Sequence, residues 1–204
     1  MQNIREIFGD IDIYLFDQIQ KGRFAPEMKI LDAGCGGGRN IIYFMRTGFD
    51  VFAVDQNSEA IEQIKYLAKM LAPNLSFDNF QVSTVGKMPF PNASFDWVIS
   101  NAVLHFASDK LQFNQMLKEM WRVLKPNGIL FARLASSIGI ENLIVPTANG
   151  RYDLPDGSER FLVSEDFLIR ATEDLGAILL EPIKTTNVQN LRCMTTWILY
   201  KNYI

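Results

Sequence analysis

The 204-residue chain holds a single histidine, His105, and two cysteines, Cys35 and Cys193. The usual zinc sites draw on clustered His and Cys ligands, so none can be assembled within one chain of this composition, and no metal is expected. Two cysteines do not make a disulfide framework. Cys35 lies inside a glycine-rich loop where a cross-link would obstruct the backbone, and both cysteines read as free thiols. Neither sign of charge dominates, with 20 Lys and Arg against 23 Asp and Glu for a net charge of -3. That balance gives no general attraction for nucleic-acid backbones or acidic membranes. No apolar run reaches the ~18 residues that would span a bilayer. The opening MQNIREIFGDIDIYLFD mixes charges into its apolar positions, unlike a signal peptide. The expectation is a soluble, cytoplasmic protein whose partners include no nucleic acid and no membrane. Repeats, low-complexity tracts and linker-like shifts of composition are also missing, so the chain reads as one folding unit.

What is present is apolar residues, 48% of the chain, enough for one domain with a sizeable core. Short apolar runs at 28–33, 50–55, 76–82, 95–102 and 128–135 have the character of strands buried on both faces. Helical spacing occupies 39–47, 58–71 and 109–123 between them, so strand and helix alternate. This pattern predicts an α/β fold, a doubly wound, mostly parallel sheet with helices on both faces. A polar segment bearing Pro and Gly follows to about residue 162, then a helix capped by Ser164, then apolar runs at 175–184 and 195–201. The last two are expected to add an antiparallel pair at the sheet edge, for seven strands with the last one antiparallel. The helical pattern at 10–21 has no obvious place within the sheet and is expected to cover the ligand site. The organisation is then a cap helix in 1–27, a ligand-binding core in 28–135, a substrate segment in 136–163, and a helix with antiparallel strands in 164–204.

The most informative stretch runs from Ile30 to Asn40, where a predicted strand ends in Gly34, Gly36, Gly37 and Gly38 and a helix is expected to begin at once. Glycines permit positive φ and remove Cβ, which lets backbone N–H groups approach a ligand closely. A purely structural turn rarely needs four glycines in five positions. The dinucleotide fingerprint G-x-G-x-x-G, started at Gly34 and Gly36, requires a third glycine at position 39, where Arg39 stands. A nicotinamide-dinucleotide oxidoreductase is disfavoured on that ground.

The arrangement Asp32-x-Gly34-x-Gly36-x-Gly38 instead resembles the first motif of the Rossmann-like, class I S-adenosylmethionine-dependent methyltransferases. The resemblance continues through Met88-Pro89-Phe90, Ser94-Phe95-Asp96-Trp97-Val98 and Leu124-Lys125-Pro126-Asn127-Gly128, similar to the family's L-P-F, S-F-D-x-V and L-K-P-G-G blocks in their order. It covers roughly residues 28–135. Gly38-Arg39-Asn40 followed by Gly48-Phe49-Asp50-Val51 also resembles the small tellurite-resistance methyltransferases.

By this resemblance S-adenosyl-L-methionine is the cofactor. Gly34, Cys35 and Gly36 would line its amino-acid end, with Asp32 fixing the loop and meeting the ammonium directly or through water. Asp55, at the end of the second strand, suits the two ribose hydroxyls, since a carboxylate accepts both hydrogen bonds. Gln56 would lie against the adenine. Thr84-Val85 stands where relatives commonly carry an aspartate and a small residue; threonine is a weaker, neutral acceptor, so weaker cofactor binding is expected unless a neighbour such as Ser83 takes over. Asn101, after the fourth strand, would face the amino-acid end.

Methyl transfer from a sulfonium is an in-line displacement that asks the protein for alignment and water exclusion. For an acceptor that must lose a proton a base helps, and His105 is the candidate catalytic residue, a packing role being its other reading. An N-P-P-[YF] tetrapeptide is absent, Asn101-Ala102-Val103-Leu104 standing in its place, and so is a Pro-Cys nucleophile, which points away from nucleic-acid substrates. The expected partner is a small-molecule acceptor, entering between a wall of Tyr14, Phe16, Arg23 and Phe24 and a wall of Arg133, Arg151, Tyr152 and Arg160. A non-catalytic cofactor-binding or partner-binding module of the same fold is the alternative. Sequence does not fix the oligomeric state.

Overall fold

The computed structural model describes residues 4–202. Its first half alternates strand and helix: α1 (Ile4–Phe8), α2 (Ile13–Gln20), β1 (Lys29–Ala33), α3 (Ile42–Arg46), β2 (Asp50–Asp55), α4 (Ser58–Leu71), β3 (Phe80–Val82), β4 (Phe95–Asn101), α5 (Lys110–Val123) and β5 (Leu124–Ser136). A small antiparallel sheet follows, of β6 (Val145–Pro146), β7 (Arg151–Asp153) and β8 (Glu159–Phe161). The chain ends with α6 (Glu165–Asp174), β9 (Ile178–Leu179), β10 (Lys184–Val188) and β11 (Arg192–Tyr200). The main sheet has the order β10-β11-β5-β4-β1-β2-β3, with β9 pairing on β11. Strands β1 to β5 are parallel, and β11 runs antiparallel to both β5 and β10. Mostly parallel strands with the last strand, β11, antiparallel agree with the expected architecture, β11 lying one strand in from the edge that β10 forms. Among the described residues no helix is long and apolar enough to cross a membrane.

Each core strand is apolar on both sides because it has a helix layer on both sides. Leu31, Val98 and Leu130 face α5 and α6, packing with Phe113, Leu117 and Leu168. Their neighbours Ile30, Trp97, Ile99 and Phe131 face α2, α3 and α4, packing with Leu15, Phe44, Ile61 and Ile64. The family-like blocks owe their positions to polar ties. Asp96 accepts from the Lys29 backbone N–H at 2.8 Å and from Lys125 Nζ at 2.7 Å, joining the starts of β1, β4 and β5. Arg122 donates to the carbonyls of Met88 and Phe90 and to Asn92 Oδ1, clamping the loop before β4 onto α5.

Three boundaries depart from the sequence reading. The expected helix at 39–47 begins only at Ile42, because Gly38 at φ +75 turns the chain and Ile41 N–H bonds back to the Gly38 carbonyl. The strand expected at 76–82 shrinks to β3, since Ser76 caps a 3-10 turn over Phe77–Asn79. The edge strand expected at 175–184 is instead the two-residue β9 followed by β10, whose sequence KTTNV has no long apolar run. An edge strand covered on one side only does not need one. The segment 136–163, expected as a polar stretch bearing Pro and Gly, contains the small sheet.

The predicted helix at 10–21 is α2, shortened to Ile13–Gln20 and capped by Asp12, which accepts from the Tyr14 N–H at 2.9 Å. Its C-terminal end is pinned to the sheet edge through Glu181, which pairs with Lys21, Arg23 and Lys184. Burial alone would raise the Glu181 carboxyl, but hydrogen bonds from Lys184, Lys21 and Gln18 bring it down to about 2.

Candidate active site

Between β1 and β4 the strand order changes direction, since β1 leads on to β2 and β3 while β4 leads the other way to β5. Ligands of open α/β sheets bind beyond the carboxyl ends of the strands at such a switch point. A cavity of about 650 Å³ lies there. It falls within the ~300–1,000 Å³ typical of small-molecule sites. Its floor is the glycine loop Gly34, Cys35, Gly36 and Gly37, and its sides are Asp55 and Gln56 after β2, Thr84 to Gly86 after β3, and Asn101 to Val103 after β4. Phe106, Gln112, Gln115 and Met116 close the α5 side.

Backbone geometry explains the glycines. Gly34 has φ +83, and a Cβ there would lie 2.5 Å from Val103 Cγ2, so the turn after β4 seats directly on it. Gly36 has φ +49 and nothing within 4 Å of a would-be Cβ, so its backbone is open to the cavity. Gly34 and Cys35 N–H both bond to the Val54 carbonyl, and Gly36 N–H bonds to Asp55 Oδ2 at 2.8 Å. Asp55 Oδ1 accepts from Asn57 N–H at 2.9 Å. Each carboxylate oxygen has two lone-pair sites, so Asp55 holds the loop and keeps accepting capacity toward the cavity.

Of the nine residues expected to bind cofactor, Gly34, Cys35, Gly36, Asp55, Gln56, Thr84, Val85 and Asn101 all line this one cavity. Asp32 lies beneath the loop, buried, with its Oδ2 unpartnered among the described residues. Burial pushes its carboxyl up to about 7, Arg39 opposing and Asp55 reinforcing the shift. Burial, with Asp32 and Asp55 acting the same way, raises the Cys35 thiol too, so it stays protonated and is no nucleophile. Cys193 is also buried and free. Ser83 is not among the residues that line the cavity, and its hydroxyl donates to the Lys87 carbonyl at 2.7 Å.

His105 is placed differently. It is buried in the turn Leu104–Phe106, outside the cavity lining, and its Nδ1 accepts from Ala135 N–H at 3.0 Å. Burial, then the nearby Arg160, lowers it to about 4, so the imidazole is neutral at pH 7.

The two expected walls come together only in part. Tyr14 packs over Arg133, 5.2 Å from its guanidinium carbon, close to the cavity's end. Arg23 and Phe24 lie at the opposite pole of the sheet, where Phe24 stacks on Trp97 at 4.1 Å and the Arg23 carbonyl accepts from the Trp97 indole. Phe16 packs edge-on against Phe8. Arg151 ties the small sheet to the Ala107 carbonyl, and Arg160 lies 4.8 Å from the ring of Phe106 at the cavity side. Tyr152 lines a separate groove with Lys110 and Phe161.

Sequence reasoning used Arg39 as the residue that breaks a dinucleotide fingerprint and as part of the Gly38-Arg39-Asn40 resemblance, and gave it no role in the site. It lines the cavity, and its guanidinium donates to Asn101 Oδ1 at 3.2 Å and to the Asp10 carbonyl at 3.1 Å. Asn40 and Asp12 were also missed. Asn40 lines the cavity and accepts from Asp12 N–H, while Asp12 Oδ2 meets Arg133 at 2.7 Å. The place of Arg39-Asn40 directly after the glycines was the available signal.

The comparisons with known proteins agree with this geometry. Residues 31–132 match the family model described as a methyltransferase domain. An uncharacterized methyltransferase, YodH, from Bacillus subtilis is 33% identical over 123 residues, 60% of this chain and 47% of that protein. A malonyl-[acyl-carrier protein] O-methyltransferase from Erwinia billingiae is 33% identical over 135 residues, 66% of this chain and 49% of that one. The chain therefore spans about half the length of the curated relatives it matches. The fold is shared with the 1,6-didemethyltoxoflavin-N1-methyltransferase of Burkholderia thailandensis, solved with bound 1,6-didemethyltoxoflavin and S-adenosylhomocysteine. The TM-score is 0.72 and the identity 18%, over 96% of this chain and 80% of that one. Family match, glycine loop and switch-point cavity agree, and the chain belongs to the Rossmann-like S-adenosylmethionine-dependent methyltransferases.

Proposed function

We propose that the chain transfers a methyl group from S-adenosyl-L-methionine to a small-molecule acceptor in the switch-point cavity. The observation that carries this reading is that residues from four separate strand ends, glycine loop, Asp55, Thr84-Val85 and Asn101, line one cavity. The residues suit the cofactor. A buried, unpartnered Asp32 oxygen beneath the loop matches a cationic ammonium, and Asp55 keeps acceptor capacity for ribose hydroxyls. When bound, the cofactor supplies a methyl group on a positively charged sulfur that leaves as a neutral thioether. The chain's part is to hold the reactants in line and keep water out. Gly34, Cys35 and Gly36 bring backbone close to the amino-acid end, Gln56, Thr84 and Val85 border the adenine end, and Asn101 faces the amino-acid end from β4, on the side next to the sulfur.

His105 serves in this reading as a positioning group for the turn after β4, and the acceptor brings its own nucleophilic lone pair. A neutral imidazole with Nδ1 committed to a backbone N–H and lying outside the lining is poorly placed to take a proton.

Calorimetric titration with S-adenosylhomocysteine at up to millimolar concentration is the direct test. Saturable binding, followed by label transfer from the methyl-labelled cofactor to a metabolite extract, is the expected result. Folded protein that gives no binding heat overturns the reading, and binding without transfer to any acceptor favours a non-catalytic module.

A further inference from the structure

Two rows of registered residues cross β4, β5 and β11 on the face that α2 covers. Ile99, Phe131 and Ile198 form the first, and all three are core. Two residues further toward the cavity end, on the same face, the row becomes Asn101, Arg133 and Thr196, with Asn101 paired to Arg133 and Arg133 paired to Thr196. Every member carries one buried polar atom without a hydrogen-bond partner among the described residues: Asn101 Nδ2, Arg133 Nε and Thr196 Oγ1. Buried polar groups are nearly always paired, and three orphans on one register line ask for a common partner.

The electrostatics say what that partner is. Arg39 donates to Asn101 Oδ1, which fixes the amide with its Nδ2 as the unused donor. Arg39 and Arg133 both approach one carboxylate, that of Asp12, at 3.8 and 2.7 Å, so two guanidinium groups share one counter-ion under the start of α2. Nδ2 and Nε are donors only, and the Thr196 hydroxyl can donate. Asn101 lines the cavity with Arg39 and Asn40, and Arg133 and Thr196 continue the row away from it across β5 and β11.

We infer that the methyl acceptor carries a carboxylate, bound by Asn101 and Arg133 with Thr196 behind them and Arg39 as the second cation. The inference rests on the methyltransferase reading for the cavity's use, and on the orphaned row alone for the carboxylate. Two adjacent N–H donors suit the two oxygens of a carboxylate, and a guanidinium beside them makes the bonds charge-assisted. Asp12 holds Arg133 in place as counter-ion while capping α2, so the same ion pair seats the helix over the bound group.

The test is calorimetric titration with succinate and with succinamide, each with and without saturating S-adenosylhomocysteine, on the wild-type chain and on Arg133→Lys and Thr196→Val. Arg133→Lys keeps the charge facing Asp12 and removes Nε, and thermal melts confirm that each variant folds. Succinate is expected to bind at least tenfold tighter than succinamide. Arg133→Lys should lose at least fivefold of that affinity and Thr196→Val two- to threefold, with S-adenosylhomocysteine affinity unchanged. Equal affinity for the two probes, or no succinate binding at all, overturns the inference. So does an Arg133→Lys variant that loses S-adenosylhomocysteine affinity, because the bound carboxylate is then the cofactor's own. Succinate binding without any S-adenosylhomocysteine binding would sink the methyltransferase reading and leave the carboxylate site standing.

Discussion

His105 Nδ1 accepts the backbone N–H of Ala135 at 3.0 Å, tying the turn after β4 to the far end of β5. The pair is buried, so removing the imidazole leaves an amide unpaired and a gap beside Phe106. An unsatisfied buried donor costs about 1–3 kcal/mol. His105→Ala is expected to lose stability in that range by denaturant melts while retaining most of its turnover per folded molecule. A rate loss of a hundredfold or more at unchanged stability would restore His105 as the base.

Asp32 and His105 give stability opposite dependences on pH. The Asp32 carboxyl goes from 3.8 to about 7 in the folded chain, chiefly through burial, so its contribution is full at acid pH and is lost as pH rises toward 7. His105 goes from 6.5 to about 4, again chiefly through burial, so its contribution is full above 6.5 and is lost as pH falls toward 4. The two slopes oppose each other between those limits. Asp32→Asn should therefore leave a stability that rises with pH across this window, and His105→Gln one that falls. Denaturant melts across the window read the sign, and identical slopes in both variants would refute the assignment.

Cofactor capture should raise the charged fraction of Asp32, because a cation arriving beside a carboxyl titrating near 7 favours its ionised form. Binding of S-adenosylhomocysteine, whose ammonium supplies that cation, is expected to release a fraction of a proton near neutral pH. Calorimetry in buffers of different ionisation enthalpy measures it, and Asp32→Asn should abolish the release.

Asp55→Ala removes the acceptor that both Gly36 and Asn57 N–H use. The loop loses its tether and, on the proposed reading, an acceptor for the ribose, so cofactor binding should weaken by about 1–3 kcal/mol. Asp55→Asn keeps a neutral acceptor and should lose less. An unchanged dissociation constant in both would show that Asp55 does not face the cofactor.

Gly34→Ala is predicted to be the most damaging single methyl in the loop. The new carbon would meet Val103 at 2.5 Å, on a backbone at φ +83 that L-residues disfavour. Loss of stability and of cofactor affinity together is expected, with Val103→Ala in the same chain restoring the larger part of the stability. No rescue would mean that backbone strain, not the clash, decides.

Much of this protein was legible before folding. Strands buried on both faces need near-continuous apolar runs, and the glycines announce their own backbone requirement, so β1, β2, β4 and β5 and the loop stood out. Eight of the nine expected cofactor residues line the cavity because they follow strand ends, and strand ends are set by local pattern. The small sheet β6-β7-β8 and the edge strand β10 were not legible, since short strands covered on one side carry little apolar signal.

A doubly wound sheet, a glycine loop that departs from the dinucleotide fingerprint, and the order of the family's motifs all follow from residue order. Tertiary structure alone decided the fates of its charged and titrating groups. Nothing local tells that Arg39 reaches Asn101, that Asp12 pairs with Arg133, or that His105 spends its Nδ1 on Ala135. Those partners are 62, 121 and 30 residues apart in the chain. Sheet register and burial bring them together, and burial then sets which of them carry charge.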